Sequence, residues 1–224
     1  MKLNYIGHSA FYIETNKTGI LVDPFISGNP LAKVTFPMEN VEYIFLTHAH
    51  GDHLGDSVDI ARKFNAKIFA VHELANYCNS KGANSIGTNL GGKINFEWGS
   101  VKFLPAFHSS TTPEGLCGGC PSSLLFEIEN KKIFHAGDTC LNSELKLIGE
   151  LYQPDIAILP IGGHYTMDIQ DATIAAQWLR ASLIIPMHYN TFSLIKVDEN
   201  EFCRLIEKNG QVCKVIQTGE NVEL

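Results

Sequence analysis

The stretch LTHAHGDHLG, residues 46–55, places three histidines and an aspartate within six positions directly after the apolar run YIFL. A short apolar run of that kind reads as a buried strand. The polar cluster must therefore leave the core at the strand's end. This narrows the folds open to the chain, because the scaffold has to keep one strand end accessible and bring further polar groups to it. His48 and His50 are two apart, so in an extended backbone both rings point the same way and can grip one cation. Asp52 continues that spacing. His53 is out of phase, which suits it to a second, neighbouring ion where Gly51 allows a sharp turn. These positions cannot close two coordination shells, so more ligands have to come from elsewhere in the chain.

Three further donors each follow an apolar, strand-like run: His108 after VKFLPAF, Asp138 after KIFHAG and His188 after LIIPM. Ligands delivered from the ends of several strands onto one rim are how an α/β scaffold builds a pocket from distant sequence. Five imidazoles and two carboxylates suffice for two four-to-five-coordinate ions that share a water and a carboxylate. Thr47, Asp23 and Thr139 stand where they could orient the imidazoles. Two more histidines could face the same rim. His8 lies between the first two strands and His164 in a Gly-Gly-His loop after DIAILP; both are candidates for substrate contact, and His164 also for proton donation to a leaving group. His72 and His135 read as structural, and Asp171 as a helix cap.

The remaining pattern fixes an organisation. Residues 1–25 read as an antiparallel meander (KLNYIG, SAFYIE, GILVD), and from residue 43 strand and helix alternate: YIFL, a helix over 56–64, AKIFAV, a helix over 73–80. Strands return over 93–107 and 123–136. Helices over 143–151, 171–181 and 198–209 then alternate with DIAILP, SLIIPM and CKVIQ. Strand-rich stretches followed by helix–strand alternation, once in each half, predict a single α/β domain over 1–224, a four-layer αββα sandwich of two mixed sheets with helices on the outer faces. The segment 109–122, SSTTPEGLCGGCPS, is the only long connection.

Composition excludes several classes. A net charge of −7 and a pI near 5.7 argue against a general basic surface for nucleic acid. No window reaches the about 18 consecutive apolar residues that span a bilayer, and the N-terminus does not read as a signal peptide. A cytoplasmic protein with no membrane partner is expected, self-association staying open. Its six cysteines are then expected as thiols rather than a disulfide framework. Cys117 and Cys120 form a lone CxxC.

The segment T47-H48-A49-H50-G51-D52-H53 resembles the HxHxDH signature of the metallo-β-lactamase superfamily, and the later donors fall in that family's order. The resemblance implies His48, His50 and His108 around a first metal, Asp52, His53 and His188 around a second, and Asp138 as the bridging carboxylate. YIGHSAFYIE, ILVDPFISGNP and PIGGHYTM look more narrowly like the branch that holds ascorbate-6-phosphate lactonase and many metal-dependent hydrolases. Two departures stand out. Cys140 follows the GDT of HAGDT where the family often has glycine, and the CGGC after His108 is not part of the pattern. The expectation is a dinuclear hydrolase in which a metal-bridging hydroxide attacks a small anionic ester, phosphodiester or lactone, with Asp52 orienting it. Zinc leads as the metal; the donor set also accepts manganese, iron or cobalt. The alternative is a metal-binding or redox-sensing module that uses the same ligands without turnover.

Overall fold

A computed structural model describes residues 1–35, 38 and 40–224. The chain forms two compact units, one of Met1–Gly92, Ser109–Ser122 and Ile216–Leu224, the other of Lys93–His108 and Ser123–Val215.

The first unit holds β1 (Lys2–Gly7), β2 (Ala10–Glu14), β3 (Gly19–Val22), β4 (Val41–Phe45), α1 (Gly51–Leu54), α2 (Ser57–Phe64), β5 (Lys67–Val71), α3 (His72–Ser80) and β6 (Asn84–Thr88). The second holds β7 (Lys93–Phe96), β8 (Gly99–Pro105), β9 (Ser122–Ile128), β10 (Lys131–His135), α4 (Ser143–Tyr152), β11 (Ile156–Pro160), α5 (Ile169–Leu179), β12 (Leu183–Met187), α6 (Glu199–Lys208) and β13 (Val212–Cys213). The chain then returns to the first unit with β14 (Asn221–Glu223).

The first sheet runs β14-β1-β2-β3-β4-β5-β6. Its short turns make β1, β2 and β3 antiparallel, whereas α2 and α3 supply the crossovers that make β4, β5 and β6 parallel. One face carries Ile6, Leu21, Ile44, Leu46, Ile68 and Ala70 against Ile60 and Ala61 of α2 and Leu74, Ala75 and Cys78 of α3. The other face is also buried. There Phe45 stacks on its register partner Phe69 with ring centroids 5.2 Å apart. Burial on both faces explains why β1, β3 and β4 read as apolar runs rather than as clean alternation.

The second sheet runs β13-β12-β11-β10-β9-β8-β7. β10, β11, β12 and β13 are parallel and β9 is antiparallel to β10. α4 and α5 pack closely at Gly149, where a Cβ would meet the Trp178 carbonyl and come within 2.7 Å of Leu179 Cα.

Three sequence readings need correction. α5 is capped by Asp168, whose Oδ1 accepts the Asp171 N–H at 2.9 Å, so Asp171 lies in the first turn and is not the cap. The extended spacing read through Asp52 ends at His50, because α1 begins at Gly51 and turns Asp52 and His53 onto a helix. Finally, Cys203 and Cys213 are joined by a disulfide: α6 ends and the chain returns along β13, bringing their Cα atoms to 5.1 Å. The other four cysteines are free.

Candidate metal centre

In the first unit the donors follow β4. Asp23, just past β3, is fully buried and holds φ +44. Its carboxylate accepts the Thr47 N–H at 2.8 Å and the Thr47 hydroxyl at 2.6 Å. The same carboxylate receives His53 Nδ1 at 2.7 Å. An ionised carboxylate only accepts, so His53 carries its proton on Nδ1 and presents Nε2. Having donated to Asp23, the Thr47 hydroxyl accepts from His48 Nδ1 at 3.0 Å, which gives His48 the same tautomer. Two imidazoles are thus oriented by one carboxylate and one hydroxyl, the arrangement found around metal-ligating histidines.

His48 Nε2 then lies 3.0 Å from His50 Nδ1, so two ring nitrogens converge on one point. His50 meets Ser109 Oγ at 3.3 Å through its other nitrogen. Asp52 is held by His8, Nε2 to Oδ2 at 3.1 Å. His8 is buried at φ +59, and the Tyr5 hydroxyl donates to its carbonyl at 3.1 Å. A bulky residue at positive φ is strained, and strain kept by surrounding contacts gathers at functional positions. The donor atoms of His8, Asp52 and His53 all lie within 4.8 Å of one another.

In the second unit the donors sit past β8, β10 and β12. Asp138 Oδ2 is 3.0 Å from His188 Nε2 and 3.5 Å from His108 Nε2, with Asp138 and His188 buried. His188 has φ +54, a second strained histidine. Among the described residues Thr139 makes no hydrogen bond to an imidazole. Its hydroxyl accepts the Phe107 N–H at 3.0 Å and its carbonyl the Met167 N–H at 3.2 Å, tying the loops of His108 and Asp138 to the segment after β11. His164 is exposed on that segment, edge-on to Tyr165 with ring centroids 4.6 Å apart. His135 is buried and receives the Gly137 N–H, while His72 meets Asn76 at 2.9 Å.

Each unit thus gathers its own imidazoles and carboxylates. The donor chemistry fits a borderline divalent cation: nitrogen and carboxylate oxygen without thiolate, with ring tautomers set by a buried carboxylate. The residues that spacing alone did not single out are Ser109, Ser110 and Tyr5; the Ser-Ser pair directly after His108 was the one available signal.

A family model described as "Beta-lactamase superfamily domain" matches residues 2–188. The chain belongs to that superfamily. It is 46% identical to a "UPF0173 metal-dependent hydrolase" of Anoxybacillus flavithermus over 228 residues, all of both chains, and so groups with those metal-dependent hydrolases. It is also similar to Igni18, described as a novel metallo hydrolase from Ignicoccus hospitalis, with 41% identity, TM-score 0.91 and coverage of 99% of this chain and 97% of that one. The metallo-β-lactamase fold protein YhfI of Bacillus subtilis shares the fold at 14% identity, TM-score 0.76, with 99% of each chain covered. The fold class read from the sequence is the one observed.

Proposed function

We propose that the chain holds two divalent cations, zinc foremost and manganese or iron through the same donors, and hydrolyses a small anionic ester, phosphodiester or lactone. His48, His50 and His108 would hold the first ion, Asp52, His53 and His188 the second, with Asp138 shared. One observation carries the reading: Asp23 and Thr47 fix the proton on Nδ1 of both His53 and His48, and His48 Nε2 converges with His50 Nδ1 at 3.0 Å. Two neighbouring rings set to the same tautomer by one carboxylate and one hydroxyl are what a metal-ligating pair requires.

Bound divalent ions supply Lewis acidity, lowering the pKa of water towards neutrality and polarising a carbonyl or phosphoryl oxygen. The residues do the rest. Asp52, steadied by His8, accepts a hydrogen bond from the attacking water and sets its direction. His8, being buried against Asp52, acts here as a positioning residue. His164, exposed on its loop, contacts substrate and returns a proton to the leaving group. An anionic substrate would suit a centre in which two bound dications outweigh the carboxylates of Asp23, Asp52 and Asp138. The net charge of −7 supports a small molecule as the partner, rather than nucleic acid or a membrane. The whole chain works as one domain in this reading. Four free thiols, three of them exposed, favour a cytoplasmic setting, while the Cys203–Cys213 disulfide counts against it. No helix among the described residues is long and apolar enough to cross a membrane.

The test is elemental analysis of protein purified without chelator, paired with turnover of bis-p-nitrophenyl phosphate and a panel of lactones with added Zn²⁺ or Mn²⁺. About two ions per chain are expected, with activity towards one class. Asp52→Asn should lower turnover ~100-fold or more while much of the metal stays bound. Protein that takes up no stoichiometric metal after reconstitution would sink the proposal.

A further inference from the structure

The segment after His108 carries Cys117-Gly118-Gly119-Cys120, and both thiols are free and exposed. The segment is pinned around them. Thr111 and Cys117 form an antiparallel bridge, the Thr112 N–H donates to the Leu116 carbonyl at 2.9 Å, and the Gly118 N–H donates to the Ser110 carbonyl at 2.9 Å. Glu114 is held by the Tyr77 hydroxyl of α3 at 2.8 Å and by Nζ of Lys81, the residue just past α3, at 2.7 Å.

Gly118, between the two cysteines, lies on the segment that carries His48 and His50. A Cβ there would clash with Ala49 Cβ and come within 2.5 Å of Ser110 Oγ. That hydroxyl accepts the Ala49 N–H at 3.2 Å, and the neighbouring Ser109 Oγ meets His50 Nε2 at 3.3 Å. The backbone between the thiols and the backbone between the two histidines therefore share one set of contacts, all inside the first unit. Gly119 holds φ +77, a backbone conformation that side chains rarely adopt, so both residues between the cysteines favour glycine, Gly118 for space and Gly119 for its backbone.

We propose that Cys117 and Cys120 are a modification site, a reversible disulfide whose state sets how firmly His50 is held. The co-reactant is a low-molecular-weight disulfide, RSSR. The thiolate of one cysteine attacks it and releases one RS⁻. The second cysteine then attacks the mixed disulfide and releases the other. Two thiols are oxidised to one disulfide and one RSSR is reduced to two RSH, the cysteine protons passing to the departing thiolates. A disulfide requires Cα atoms about 4.4–6.8 Å apart, and closing it constrains the two glycines between. Gly118 bonds Ser110 and packs on Ala49, so that constraint reaches Ser109 and His50. Loss of such an outer partner of a metal-bound imidazole costs about 10–100-fold in metal affinity.

The coupling rests on the metal-centre reading above; the disulfide itself does not. The full chain is equilibrated in buffers of reduced and oxidised glutathione, its free thiols are alkylated, and its peptides are mapped by mass spectrometry, Cys203–Cys213 being followed in the same map. A Cys117–Cys120 bond that follows the buffer ratio is expected, with Cys140 still alkylated. Glutathione adducts alone, or pairing with Cys140, would overturn the site. Zinc affinity of the metal-free protein is then measured by chelator competition. It should fall ~10-fold or more on oxidation and stay unchanged in C117S and C120S. Equal affinity in the two states would overturn the coupling. Zinc binding in neither state would overturn the metal-centre reading together with the coupling, while the peptide map would still decide the modification.

Discussion

Asp23 shows how far one residue reaches in this protein. Thirty positions before His53 in the chain, it orients His53 directly and His48 through Thr47. Replacing it with alanine leaves both rings free to turn and is expected to weaken zinc binding about 10–100-fold, read by chelator competition; an unchanged affinity would contradict the orienting role. The buried Cys78 offers a second check. Burial in the core of the first unit pushes its thiol up to about 12, so at pH 8 it should resist iodoacetamide while exposed Cys117, Cys120 and Cys140 react. Rapid labelling of four cysteines in folded protein would contradict this. The candidate donors were legible because imidazole and carboxylate recur at strand ends. The hydrogen bond between His8 and Asp52 was not, since nothing in the spacing of residues 8 and 52 ties them together.

At the level of the element, caps and close approaches decide stability. Asn142 caps α4 by accepting the Glu144 N–H at 3.0 Å, so Asn142→Ala should cost about 1 kcal/mol in urea denaturation. Gly149→Val should cost more, about 1–3 kcal/mol by overpacking, because α5 backbone occupies the space its side chain would need. The 109–122 segment has its own pH dependence. Lys81 first, then Tyr77, hold the Glu114 carboxyl at about 2, below its ordinary 4.5. A depressed carboxyl stabilises the folded form above its unfolded pKa and loses that contribution as pH falls towards the folded value. Pepsin cleavage within 109–122 should therefore rise as pH falls from 4.5 towards 2. In Lys81→Met it should already be raised at pH 4. Most helices and strands were readable from periodicity, but α1 has four residues and β6, NSIGT, lacks an apolar alternation. Elements that short are set by what they pair with and carry little pattern of their own.

For the molecule as a whole, the metal reading makes a stability prediction. A ligand that binds only the folded chain at about 100 times its Kd adds about 2.7 kcal/mol, which for a chain of this size is a rise on the order of 5–10 °C in Tm. Calorimetry with zinc and with a chelator should show that rise, and Asp23→Ala should reduce it. What the sequence determined by itself was the family, a set of candidate donors and the broad architecture. HxHxDH, the donors at residues 108, 138 and 188 and the changing hydrophobic period are local patterns, and local patterns specify a donor set, strand ends and a pair of mixed sheets. Tertiary structure alone decided which nitrogen each ring presents, that Asp52 lies on a helical turn beside His8, that Asp168 rather than Asp171 caps α5, and that Cys203 reaches Cys213. Each of these depends on a partner brought close by the path of the chain, and a distance through space has no signature in one residue's immediate neighbours.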